Sequence, residues 1–198
     1  MQSEPVLHNL MQALRCLPGV GQKSAQRMTL HLLERDRQGA FKLAQSLAEA
    51  VDKIGNCKTC QTLSSSEVCG LCSDPQREQQ LLCVVETPAD VMAIESATSF
   101  KGMYFVLNGR LSPLDGLGPA EIGLDQLAER IKQGVIQEII LATNPTIEGE
   151  ATAHYISEMA KKHNVIATRI AHGVPFGGEL EYIDSGTLSH AFNGRSEV

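Results

Sequence analysis

Leu81-Leu82-Cys83-Val84-Val85-Glu86-Thr87-Pro88-Ala89-Asp90 decides the fold. The apolar run Leu81–Val85 is short and ends at a charge, which reads as a strand. Thr87 can cap a following helix, Pro88 suits its first position and Asp90 favours its positive end. The same change of period recurs downstream. Apolar runs at Met103–Leu107, Ile136–Leu141 and Val165–Thr168 alternate with helical stretches at 88–96, 124–133 and 148–161. Strands alternating with helices predict a parallel sheet with helices packed on it, an α/β class. A further short helix is expected around Ile183–Phe192.

Upstream of this sheet the pattern changes twice. Residues 55–75 are rich in Cys, Ser and Gly and have almost no apolar periodicity, so burial alone cannot hold them. Four of the six cysteines lie here, as Cys57-x2-Cys60-x8-Cys69-x2-Cys72. Two C-x2-C knuckles suit tetrahedral thiolate coordination of one structural Zn2+ per chain, and metal binding would then fold the segment. A redox pair would not need the second knuckle, and a reducing compartment disfavours disulfides. Four thiolates leave no open position, so this zinc would not be catalytic. Cys16 and Cys83 lie in apolar contexts and read as small buried residues.

Residues 1–53 carry apolar positions at helical spacing: Val6, Leu7, Leu10, Met11 and Leu14, then Ala25, Met28, Leu32 and Leu33, then Ala44, Leu47, Ala48 and Val51. Three helices are predicted. The first two are joined by Leu17-Pro18-Gly19-Val20-Gly21, whose glycines permit a tight turn with positive φ. Backbone N–H groups at the following helix start form an anion site, with Lys23 and Arg27 one turn apart on one face. The segment resembles a helix-hairpin-helix motif, which implies contact with the DNA backbone without base readout at Gly19, Gly21, Lys23 and Arg27. A plain αα-hairpin remains the alternative. A nucleotide P-loop fails, because Gln22 separates Gly21 from Lys23 and a helix, not a strand, precedes.

The chain has 198 residues, 42% apolar and 20% charged, which excludes wholesale disorder and coiled coil. No apolar run reaches the ~20 residues of a membrane span, and the N-terminus lacks a basic segment followed by an apolar one. A cytoplasmic location without membrane contact is expected. The formal charge is −6, unevenly divided: +2 over residues 1–53, −1 over 54–80 and −7 over 81–198. A mildly basic head on an acidic body permits phosphate contact at one end and argues against a uniformly basic DNA-coating protein. With no Trp, five Phe and three Tyr, a stacked aromatic platform for single strands is excluded.

The ends of the predicted strands carry the remaining chemistry. Glu86 closes the first, and Asn144-Pro145-Thr146-Ile147-Glu148-Gly149-Glu150 follows the third, where open α/β sheets place their sites. The arrangement resembles a Toprim domain. In catalytic Toprim members a glutamate after the first strand, an Asp-x-Asp and a Glu-Gly-Glu-like stretch gather Mg2+ for phosphoryl transfer. Here the Asp-x-Asp positions are Asn144 and Thr146, which lack the charged oxygens that Mg2+ prefers. Glu148 and Glu150 can simply complement the helix they open. Without a metal, an exposed acidic strand end repels DNA and suits a basic protein partner, which makes Glu86, Asn144, Thr146, Glu148 and Glu150 a candidate docking surface. The six histidines form no spaced ligand pair; His172, before the glycine-rich 173–182 stretch, has no assignable role.

In order, the chain reads as a helix-hairpin-helix region (1–53), a four-cysteine zinc finger (54–76), a Toprim-like domain (80–175) and a C-terminal tail for subunit contact (176–198). This order, with Asn-Pro-Thr in place of Asp-x-Asp and the Gly173-Val174-Pro175-Phe176-Gly177-Gly178-Glu179-Leu180-Glu181-Tyr182 stretch, resembles the RecR family of bacterial recombination proteins along essentially the whole length. The resemblance implies a non-catalytic DNA repair mediator that acts with RecO and RecF to help load RecA onto single strands covered by single-strand-binding protein. It also implies a ring-like homotetramer around DNA, with Lys23 and Arg27 facing the DNA and the Toprim-like domain facing RecO. A metal-dependent Toprim nuclease, primase or topoisomerase, and an adaptor that never touches DNA, are the alternatives.

Overall fold

A computed structural model describes residues 4–171 and 173–195. The chain divides into two compact units, the first ending at Ile54 and the second beginning at Gly55.

The first unit is three helices, α1 (Pro5–Leu14), α2 (Gln22–Glu34) and α3 (Arg37–Lys53). Pro5 occupies the first turn of α1, where its missing N–H costs nothing. Asp36 caps α3 by accepting from the Gly39 N–H at 2.8 Å. α2 packs against both neighbours and buries Ala25 and Thr29 completely. The apolar stripe of α3 finds no cover within the unit, since Phe41 is 79% exposed and Val51 83%. Cys16 departs from expectation. It follows α1 on an exposed turn, because the chain bends there rather than packing.

The second unit begins with a two-residue hairpin, β1 (Gly55–Asn56) and β2 (Leu63–Ser64), and the short α4 (Gly70–Ser73), none of which periodicity revealed. Then come β3 (Glu78–Val85), α5 (Pro88–Ala97), β4 (Gly102–Val106), a single-turn helix at Pro113–Asp115, α6 (Leu124–Lys132), β5 (Glu138–Ala142), α7 (Ile147–Lys161) and β6 (Ile166–Arg169). A tail with one helical turn at Leu180–Tyr182 and α8 (Ser185–Asn193) follows. The expected junction at 87–90 is a full capping box: the Thr87 N–H donates to Asp90 at 2.8 Å, and Thr87 Oγ1 accepts from the Asp90 N–H at 3.4 Å.

Four strands form one parallel sheet in the order β4-β3-β5-β6, with Val84 registered between Phe105 and Leu141. Alternation along the strands divides the core. Leu82, Val84, Phe105, Ile139 and Leu141 pack with Leu127 and Ile131 of α6 and Ile156 of α7. Cys83, Val85, Tyr104 and Val106 pack with Val91 of α5 and with Cys57, Cys60 and Cys69. The chain leaves β3 for one side and returns on the other, so the strand order reverses at the carboxyl end of β3, where a crevice for function opens.

Candidate metal centre and strand-end site

The sulfur atoms of Cys57, Cys60, Cys69 and Cys72 all lie within 4.8 Å of one another. Metal–sulfur bonds of about 2.3 Å in a tetrahedron set sulfur separations of about 3.8 Å, so the four thiols are already gathered for one ion. All are free thiols, and the first three are buried. The Cys57 sulfur accepts N–H groups from Thr59 at 3.4 Å and Cys69 at 3.3 Å, which ties the two knuckles together. The hydrogen bond from Cys72 holds the Cys60 thiol down at about 5, against burial. That same bond and burial push Cys72 up, and burial pushes Cys69 up. Four such thiols resist common ionisation by themselves, and a divalent cation among them removes that resistance. The donor set therefore fits a closed, structural metal centre.

The centre is built onto the sheet. β4 is an edge strand, and its Val106 N–H donates to the Cys60 carbonyl at 2.8 Å. The cysteine segment thus covers an edge that would otherwise be open to another chain. Arg130 of α6 donates to the carbonyls of Thr59 at 3.0 Å and Tyr104 at 2.7 Å. Burial lowers the Arg130 pKa while the cysteine sulfurs oppose that shift. Cys83 lies beneath the same cluster with its thiol pushed up to about 12 by burial and the Asp90 charge, so it is a packing residue without nucleophilic character.

At the strand-order reversal, Glu86 is 3% exposed. Its Oε1 accepts the Asn144 backbone N–H and its Oε2 the Asn144 side-chain amide, both at 2.8 Å. Thr146 caps α7 by accepting from the Gly149 N–H at 3.1 Å. Gly149 has no alternative: a Cβ there would lie 2.0 Å from the Asn144 carbonyl oxygen and 3.1 Å from Glu86 Oε1. Glu148 and Glu150 sit in the first turn of α7, and Glu150 pairs with Arg169 at 2.7 Å. The sequence expectation of an exposed acidic end needs correction at Glu86, whose carboxylate is inside. The surface carries Glu148 and Glu150 instead, beside an apolar groove of about 640 Å³ between the 111–119 loop and α7, lined by Leu111, Leu114, Leu117, Pro119, Ile147 and Ala151. Leu114 is 98% exposed and Ile147 86%.

In the helical unit, Gly19 takes φ +75° while Gly21 is extended at φ −82°, so one glycine of the turn needs the left-handed region and the other does not. No side chain caps α2 at Gly21, and Lys23 and Arg27 are exposed on it. Open space surrounds both glycines.

Residues 7–51 match the family described as RecR, helix-hairpin-helix; residues 80–171 match the Toprim domain; and residues 173–196 match RecR, C-terminal. The chain is 58% identical over 197 residues, the whole of both chains, to the recombination protein RecR of Methylococcus capsulatus. It is 62% identical over 193 residues to that of Halorhodospira halophila, covering 98% of this chain and 96% of the relative. The corresponding protein of Saccharophagus degradans is 59% identical over 194 residues, 98% of each. The chain belongs to the RecR family.

For this RecR family member, a role as a mediator of recombination and repair follows from full-length similarity to proteins of that name. None of the helices among its described residues is long and apolar enough to cross a membrane. Sequence reasoning missed two devices. One is Arg130, whose charge within the apolar pattern of α6 was the available signal. The other is Arg77, which donates to the Gly102 carbonyl at 2.9 Å, pairs with Glu95 and lies over the Tyr104 ring at 5.7 Å, while the Tyr104 hydroxyl donates to Glu95 at 2.7 Å. These partners are 9 to 27 residues apart, beyond any local pattern. His172 lies outside the described residues.

Proposed function

We propose that this RecR family member is a non-catalytic mediator that holds DNA by its backbone and acts with RecO and RecF to help load RecA onto gaps covered by single-strand-binding protein. The observation that carries the non-catalytic reading is the Glu86–Asn144 pair: both carboxylate oxygens are engaged by protein donors, where a catalytic Toprim glutamate would face Mg2+. Zn2+ is the ion that the four cysteines hold, as a structural element. Gly19, Gly21, Lys23 and Arg27 meet the phosphates, and Asn144, Thr146, Glu148 and Glu150, backed by Glu86, form the partner surface. The working division is 1–53 for DNA, 54–76 for zinc, 80–175 for the Toprim-like part and 176–198 for subunit contact, in the cytoplasm.

A homotetrameric ring accommodates the charge pattern, because basic heads converging on a central hole focus a positive field despite the acidic remainder. The uncovered apolar stripe of α3 and the exposed Phe176, Tyr182 and Phe192 support self-association. The test is incubation with supercoiled plasmid and Mg2+, run on a gel before and after removal of protein. Retardation that vanishes on deproteinisation, with topology unchanged, is expected; nicked or relaxed DNA would overturn the reading. In a salt series, Lys23→Ala with Arg27→Ala should lower the slope of log affinity against log salt by roughly 1.5, and an unchanged slope would remove these residues from the DNA site.

A further inference from the structure

Glu86 raises a question that neither catalysis nor surface contact answers. It is a carboxylic side chain kept 3% exposed at the strand-order reversal, so it offers almost no surface to a macromolecular partner. Burying a carboxylate is costly unless strong donors satisfy it, and here one residue supplies both donors, main-chain and side-chain. The geometry points to Glu86 as the positioning residue of the strand-end docking surface, a role that rests on the docking reading above. By gripping Asn144 at two points, it sets where the chain leaves β5 and therefore where α7 begins.

Three further contacts transmit that placement. The Thr146 N–H donates to the Asn144 carbonyl at 2.8 Å, Thr146 caps α7, and Thr143 Oγ1 donates to the Gly149 carbonyl at 3.0 Å. Gly149 lets the first turn of α7 close directly onto the Asn144 carbonyl. On its other side α7 is tied to the groove-forming loop, since Thr152 Oγ1 accepts the Leu111 N–H at 2.9 Å and donates to the Glu148 carbonyl at 2.7 Å. Glu148, Glu150 and Ile147 are thus displayed in a register set by a residue that is itself inside. An amide at position 144 is required for this: two facing carboxylates would repel, whereas an amide donates to one.

A swap of the two functional groups tests the role. Asn144→Asp sets two carboxylates face to face and breaks the grip, whereas in Glu86→Gln the glutamine oxygen still accepts the Asn144 backbone N–H and its amide donates to the oxygen of a turned-over Asn144 amide. With both changes together, the introduced glutamine oxygen accepts the backbone N–H of position 144 and its amide donates to the introduced aspartate, and the net charge of the pair is unchanged. Hydrogen–deuterium exchange of the 146–150 amides and capture of purified RecO are measured on the full-length, metal-loaded protein, with thermal unfolding and metal content as checks of the fold. Asn144→Asp is expected to speed exchange and weaken capture about tenfold, Glu86→Gln to stay close to wild type, and the double variant to recover both. An Asn144→Asp protein that exchanges like wild type, or a double variant as loose as Asn144→Asp, would overturn the positioning role. A Glu148→Gln, Glu150→Gln protein should lose capture with exchange unchanged; if it captures RecO normally, the docking reading fails, while the exchange cycle still decides what Glu86 does.

Discussion

Arg130 reaches from α6 to the carbonyl of Thr59, inside the first cysteine knuckle, and with the same guanidinium nitrogen to the carbonyl of Tyr104 in β4. One half-buried cation therefore joins the cysteine cluster to the edge of the sheet. Arg130→Met, which keeps the stem and removes the donors, should leave two carbonyls unsatisfied and destabilise the protein by roughly 2–3 kcal/mol. Urea unfolding measures this. Stability equal to wild type would show that water replaces the guanidinium without loss.

Removing the metal should have a larger effect, because the cysteines belong to the core cluster on one face of the sheet and are not confined to a separate appendage. Metal analysis should find about one ion per chain. Cys57→Ser, or chelation, should lower the thermal midpoint and speed exchange at the Val106 amide, whose partner is the Cys60 carbonyl. Metal-free protein that melts at the wild-type temperature would contradict this account.

Gly149→Ala is predicted to be among the most damaging single-methyl additions. Its Cβ would meet backbone, the Asn144 carbonyl, at 2.0 Å, and backbone cannot rotate aside as a side chain can. A cost of about 3 kcal/mol is expected from such overpacking. A denaturation midpoint within error of wild type would require α7 to start elsewhere.

Glu95 gives the molecule an acid-sensitive element. Burial raises its pKa, but hydrogen bonds from Arg77 and Tyr104 together outweigh burial and hold the carboxyl below its ordinary 4.5. A depressed folded value means that the contribution is fully present above the unfolded pKa of 4.5 and is lost as pH falls through the folded value beneath it. Glu95→Gln should cost about 2 kcal/mol at pH 7. The difference from wild type should shrink as the pH drops below 4.5. A pH-independent difference would assign the effect to shape and not to charge.

Much of the molecule is legible in its sequence. The capping box at Thr87 and Asp90, the change from helical to strand period near Leu81 and the four-cysteine spacing are local patterns, and local backbone physics makes them reliable. The sequence alone determined the longer helices, the alternation of strands with helices and the two cysteine knuckles, since each follows from residues within a few positions of one another. Whether Glu86 faces water or protein was not local: its partner Asn144 is 58 residues away, brought adjacent only when β5 pairs with β3. The same holds for Arg130, which is 71 residues from Thr59. Tertiary structure decided that a candidate surface carboxylate is a buried brace, and that the cysteine segment is part of the sheet's core, because desolvation and hydrogen-bond satisfaction depend on neighbours that only the closed fold supplies.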